Sequence, residues 1–224
     1  MATFCKCRER LIKQNKIKFA DIPKEFSSLT INSFRVDWYK TKEGSQKALM
    51  AKKAAVNFIK NYNEMSKKGK GLYLYSYAKG SGKTRMAASI GNALVNTYGV
   101  GVKFTNTITL IDEIKATFDN NREYNQSQLI DAINRIDVLI LDDIGTEKLS
   151  PWVNQVFYGL INYRTTAKKV TIFTSNCQIE ELQHDARIKS RITDLAVPIA
   201  FPEEPIREYI AKSENENLQN MLFE

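Results

Sequence analysis

Apolar residues first recur at steps of three and four between Gly44 and Lys68. Ala48, Ala51, Ala55, Phe58, Tyr62 and Met65 fall on one face with lysines opposite, which predicts an amphipathic helix ended by the Lys67–Gly71 run. From Gly71 the pattern changes to short apolar runs of strand length, at Leu72–Tyr77, Val102–Thr105, Val138–Leu141, Val170–Thr174 and Val197–Phe201. Helical stretches separate them: Lys83–Tyr98 closed by Gly99, Leu110–Phe118, Gln128–Ile136, Pro151–Thr166 and Asp185–Leu195. This alternation predicts an α/β fold in which helices cover both faces of a parallel sheet. Met1–Thr41 has no such rhythm. A basic stretch runs to Lys18, followed by Ile22-Pro23 and a Ser/Thr-rich piece.

The chain has 224 residues, 43% hydrophobic and 26% charged, enough for one substantial domain with a short arm. No apolar run approaches the roughly 18 residues of a membrane helix. The basic first residues carry no apolar core with a cleavage site, so neither membrane nor secretory signal is expected. Three cysteines do not make a disulfide scaffold, and a cytoplasmic location suits them better. The net charge of +8 is unevenly placed: residues 1–70 hold 17 basic and 6 acidic side chains, residues 71–224 hold 16 and 19. A positive arm on a near-neutral domain suits a polyanion or an acidic protein surface as partner, and equally a merely solvated arm.

Chemistry concentrates at the strand ends. Leu72–Tyr77 runs into Ala78-Lys79-Gly80-Ser81-Gly82-Lys83-Thr84 and directly into a helix, the setting a Walker A phosphate loop requires. Glycines let backbone N–H groups curl around phosphate oxygens, and the helix N-terminus adds positive charge. Lys83 would reach the β- and γ-phosphates and Thr84 would bind Mg²⁺. The first glycine of that pattern falls on Tyr77, so the loop is expected to leave the strand differently and to hold nucleotide less tightly. Val138–Leu141 ends in Asp142-Asp143, on the sheet edge where the phosphate loop lies. Asp142 would join the Mg²⁺ shell and Asp143 would polarise the attacking water. Thr174-Ser175-Asn176 puts an amide on the same edge, able to orient water, though such an Asn also serves as a turn residue. Arg187 and Arg191 share a helix face, as an arginine finger for a neighbouring subunit or as a surface ion-pairing helix.

In order and spacing these stretches resemble the AAA+ ATPases of the DnaC/DnaI helicase-loader family, with the IstB transposition ATPases as close cousins. The resemblance implies an AAA+ P-loop domain, a five-stranded parallel sheet flanked by helices without a full C-terminal lid. It divides the chain into a basic arm (1–41), an ATPase core (42–210) and a C-terminal tail (211–224). It implies ATP or ADP contacts from Gly80, Ser81, Gly82, Lys83, Thr84 and Arg85. Asp142 and Asp143 become Walker B, Asn176 sensor 1, Arg191 the arginine finger with Arg187 one turn away, and Arg207 sensor 2. Cys5-Lys6-Cys7-Arg8 and Ile22-Pro23-Lys24-Glu25-Phe26 resemble the tail of the family's zinc module. The arm's two thiols fall short of the four ligands of structural zinc, so none is expected within one chain. Between Thr105 and Ile136, Lys115, Phe118, Arg122 and Tyr124 offer charge and stacking for single-stranded DNA, or form an ordinary polar loop. The implied partners are a DnaB-type hexameric replicative helicase, single-stranded DNA and further copies of the chain in an ATP-dependent oligomer. The implied activity is slow ATP hydrolysis, in a bacterial cell and in a chain compact enough to suit a phage. The rivals are an IstB-like transposition helper and a non-enzymatic adaptor or inhibitor of helicase loading.

Overall fold

The structure is a computed structural model describing residues 22–117 and 126–223. Its centre is a five-stranded sheet built from β1 (Gly71–Tyr75), β2 (Val102–Asn106), β3 (Val138–Ile144), β4 (Val170–Ser175) and β5 (Ala196–Ala200), in the order β2-β3-β4-β1-β5. Every pairing is parallel, so all strand C-termini meet at one edge. Strand alternation divides the apolar side chains between two cores. Leu72, Leu74, Val138, Ile140 and Ile172 face one side; Tyr73, Leu139, Leu141 and Phe173 face the other.

The first side is covered by α1 (Lys42–Lys60), α2 (Tyr62–Lys68) and α3 (Lys83–Tyr98). The helix expected over Gly44–Lys68 begins earlier, because Thr41 caps it by accepting from Gly44 N. It also breaks at Asn61, whose Nδ2 donates to Asn57 O at 2.8 Å and competes with the helical ladder. The second side is covered by α4 (Thr107–Ala116), α5 (Gln126–Arg135), α6 (Pro151–Thr166) and α7 (Ala186–Leu195).

Packing and helix run across both boundaries drawn around the core from the sequence. Residues 22–41 belong to the first core: Phe34 and Tyr39 are buried in it, Ile22 and Phe26 pack against it, and Asn92 Nδ2 donates to Phe26 O and Leu29 O. At the other end, residue 210 lies inside α8 (Arg207–Phe223), which continues through the expected tail. Leu218, Met221, Leu222 and Phe223 are exposed on it, so no core-facing stripe signalled this helix in the sequence. Among the described residues no helix is long and apolar enough to cross a membrane.

One buried charge joins the second layer to the sheet. Arg164 of α6 is wholly buried and donates to Thr171 Oγ1, Ile133 O, Ile136 O and Val170 O at 2.7–3.2 Å. Burial pushes its guanidinium down to about 9. Arg164→Ala leaves three buried carbonyls without this donor, and urea unfolding is expected to show a loss of about 2–4 kcal/mol. A change below about 0.5 kcal/mol would mean that water replaces the guanidinium.

Candidate functional site

At the sheet edge the chain leaves β1 at Tyr75 and turns through Ser76–Gly82 into α3. Gly82, at φ 95°, caps the helix, and a Cβ there would sit about 3 Å from the Tyr39 hydroxyl and the Phe34 ring. Glycine is thus required both for the backbone and for the space. Tyr39 Oη donates to Ser81 O at 2.7 Å, and Ile206 N and Arg207 N donate to Gly80 O, which fixes the loop from outside. Tyr77 needs no left-handed conformation. Its half-exposed side chain donates to Glu181 Oε1 at 3.1 Å and accepts from Gln178 Nε2 at 3.0 Å.

Lys83 is buried at 6% exposure and donates to Ser76 O, Ala78 O and Ser81 Oγ at 3.1–3.3 Å. All three are neutral oxygens. Burial pushes its ammonium below the ordinary lysine value, against the opposing fields of Asp143, Glu203 and Asp142. Opposite stands Asp142, also buried, accepting from Thr174 Oγ1 at 2.7 Å and hydrogen-bonded to the Thr84 side chain. Burial pushes the Asp142 carboxyl up, more than these two hydroxyls lower it. Asp143 lies at φ 62°, where β3 slips register against β4, and accepts from Asn176 Nδ2 at 2.8 Å.

These groups line one cavity of about 890 Å³, within the range of small-molecule sites. Gly80, Ser81, Gly82, Lys83, Thr84, Arg85, Asp142, Asp143, Asn176 and Arg207 all border it. Arg85 also lies 5.3 Å from the Trp38 ring centroid. Arg187 and Arg191 are not on this wall. Arg187 pairs with Asp185 and covers the Tyr158 ring at 4.9 Å, and Arg191 is half-buried on the same helix. Lys115 pairs with Asp112 at 3.8 Å and lies 6.0 Å from the Trp152 ring, whereas Phe118, Arg122 and Tyr124 lie outside the described residues.

Several members of the site had no sequence signal. Glu203 Oε2 accepts from Ala78 N at 2.8 Å and from Ser76 Oγ at 3.0 Å, across more than 120 residues of chain. Pro23, Glu25 and Phe26 border the cavity from the segment assigned to the arm. Only the fold brings them there.

The donor set fits a nucleoside triphosphate with Mg²⁺. A glycine cradle stands at a helix N-terminus beside an ammonium with neutral partners only, facing a buried carboxylate next to a threonine hydroxyl. Among the described residues no group of three or more His, Cys, Asp or Glu could hold a metal ion unaided. Cys5 and Cys7 lie outside the described residues.

The chain belongs to the family described as IstB-like ATP binding protein, whose profile matches residues 7–195. It is 32% identical over 164 residues to the replicative helicase loader DnaI of Bacillus subtilis, covering 66% of this chain and 50% of that protein. With the replicative helicase loader DnaC of Buchnera aphidicola it shares 28% identity over 142 residues, 63% of this chain and 54% of that protein. The chain thus spans about half the length of these curated relatives. A crystal structure of DnaI superposes with a TM-score of 0.66 at 29% identity, covering 80% of this chain and 94% of that one. The fold is the α/β fold of AAA+ domains.

The raised carboxyl of Asp142 sets a sign for stability. A carboxyl whose folded pKa exceeds its unfolded one stabilises the fold at low pH and loses that contribution as pH rises through the folded value. Asp142→Asn keeps an acceptor for Thr174 and removes the buried charge. Without nucleotide it is expected to melt higher than wild type at pH 7, with the difference vanishing below about pH 4. An equal or lower Tm at pH 7 would show that the hydroxyls fully offset the burial.

Proposed function

We propose that this chain is an ATP-dependent loader of a hexameric replicative DNA helicase, acting as an AAA+ ATPase that binds ATP with Mg²⁺ and single-stranded DNA in an oligomer. The observation that carries the ATP reading is Lys83, a buried ammonium whose hydrogen bonds all go to neutral oxygens of its own loop. A polyphosphate supplies the anion this ammonium lacks, at a helix N-terminus already suited to negative charge. The relatives named as replicative helicase loaders support the rest of the reading.

Each residue then has a task. Lys83 and the loop amides bind phosphate oxygens, Thr84 and Asp142 would hold Mg²⁺, and Arg207 borders the same cavity from α8. The bound nucleotide and cation supply the phosphoanhydride and the neutralisation of its charge. Asn176 donates to Asp143 and so orients the carboxylate that accepts a proton from water. Asp143 is one methylene shorter than glutamate, which supports slow hydrolysis. Arg187 and Arg191 stand away from their own cavity, as arginines serving a neighbouring copy would. Lys115, with the Phe118–Tyr124 segment, and the basic first residues are the candidate contacts for DNA and helicase. A transposition helper is the second reading, because the matching family is described by its IstB-like members.

Lys83→Ala is expected to weaken nucleotide binding at least about 100-fold, the equivalent of roughly two charged hydrogen bonds. A fluorescent ATP analogue measures it, and unchanged affinity would overturn the ATP reading. Co-purification with a DnaB-type hexamer, with and without ATP, tests the loader reading. A stable complex is expected, and its absence in both conditions would favour the transposition helper.

A further inference from the structure

Beneath the acidic strand end lies a buried carboxyl–imidazole contact that the proposed chemistry does not use. Glu147 and His184 have side chains 2% and 0% exposed, and His184 Nε2 lies 2.6 Å from Glu147 Oε1. The other Glu147 oxygen accepts from Gly145 N at 2.8 Å. Gly145 sits at φ 94°, and a Cβ built on it would come 2.8 Å from Leu182 Cδ2, so this turn is packed directly against the segment that carries His184. The turn begins at Asp143, and Thr146 within it borders the cavity. His184 in turn stands edge-on to Phe157 of α6, at 5.2 Å between centroids, and immediately precedes Asp185, the N-cap of α7. Asp185 accepts from Arg187 N at 2.8 Å, and α7 presents Arg187 and Arg191 away from this chain's own cavity.

The two side chains are shut off from solvent and held at 2.6 Å without hydrogen-bond geometry between them, a costly contact that persists only while the packed groups around it keep one relative placement. Here those groups are the turn that bears Asp143 and the helix that bears the two arginines. We propose that Glu147 and His184 are positioning residues that lock the Asp143–Glu147 turn to α7, so that nucleotide occupancy of one chain's site and the placement of its Arg187 and Arg191 change together. This rests on the ATP reading. It adds a route by which one chain's nucleotide state governs what it offers to the next copy. Neither residue touches the cavity, so the effect falls on turnover rather than on nucleotide affinity.

The chain holds a single histidine, so its ring resonances report this contact directly. The full chain is titrated with Mg-ADP and with a non-hydrolysable Mg-ATP analogue. Ring signals are followed by ¹H–¹³C NMR, and binding is followed in parallel with a fluorescent nucleotide. The expected result is different ring positions in the two nucleotide states, a difference that collapses in Glu147→Gln. Glu147→Gln and His184→Gln are both expected to lower kcat for ATP about tenfold with KM held within about twofold. Identical ring positions in wild type, or folded variants that lose only thermal stability, would overturn the proposal. Should both variants fail to fold, the wild-type ring signals decide alone. If the fluorescent nucleotide does not bind wild type, or binds Lys83→Ala equally well, the ATP reading itself has failed and this inference falls with it.

Discussion

The site depends on an ammonium kept out of water with no carboxylate as its direct partner. Lys83 could reach that state only in a loop whose carbonyls turn inward to receive it, and the loop is held in that shape from outside. Tyr39 holds Ser81 O, the backbone at Ile206 and Arg207 holds Gly80 O, and Glu203 holds Ala78 N and Ser76 Oγ. Each contact spans a long stretch of sequence, so the phosphate loop is shaped by both flanks of the domain. Burial lowers the ammonium's preference for its proton, and the surrounding carboxylates restore part of it. The result is a cation that gains by exchanging neutral oxygens for anionic ones.

The two flanks are themselves joined. Glu204, beside Glu203, accepts from Lys40 N at 2.7 Å and from the hydroxyl of Thr41, the residue that caps α1. One pair of adjacent carboxylates thus grips the phosphate loop on one side and the start of the first long helix on the other. Pro202 and Pro205 restrict the backbone between them. The outer contacts of the loop thus converge on residues 39–41, the end of the segment that begins at Ile22. That segment also borders the cavity through Pro23, Glu25 and Phe26.

What the sequence disclosed follows the range of the interactions involved. Strand and helix placement was legible because periodicity is local, and Lys83, Asp142 and Asn176 could be singled out because phosphate chemistry calls for particular residues at a glycine loop and at strand ends. Breaks set by one side chain's choice of partner, such as Asn61, were not, nor was α8, where Ile210 packs on the core but Leu218, Met221, Leu222 and Phe223 lie exposed. Glu203, Arg164 and the Glu147–His184 pair were invisible for a different reason. Each is an ordinary polar residue until the fold brings its partner across tens of residues of chain. Tyr77 is the reverse case: the sequence marked it as a departure, and the structure gives it partners outside the loop rather than a strained backbone.

Aspartate at position 143 also suits its backbone. Asp143 adopts φ 62° where β3 slips its register after Leu141. Among residues with a Cβ, aspartate and asparagine enter that region most readily because a short polar side chain can bond nearby backbone. A longer carboxylate would extend the reach toward the cavity but would suit this turn less well. The turn is in turn fixed by Thr174 Oγ1, which accepts from Asp143 N at 2.9 Å while donating to Asp142, and by Asn176, which donates to the Asp143 carboxylate. One threonine hydroxyl therefore orders the Asp142 carboxylate and the Asp143 backbone, and the conformation it holds at Asp143 is one that suits the shorter side chain.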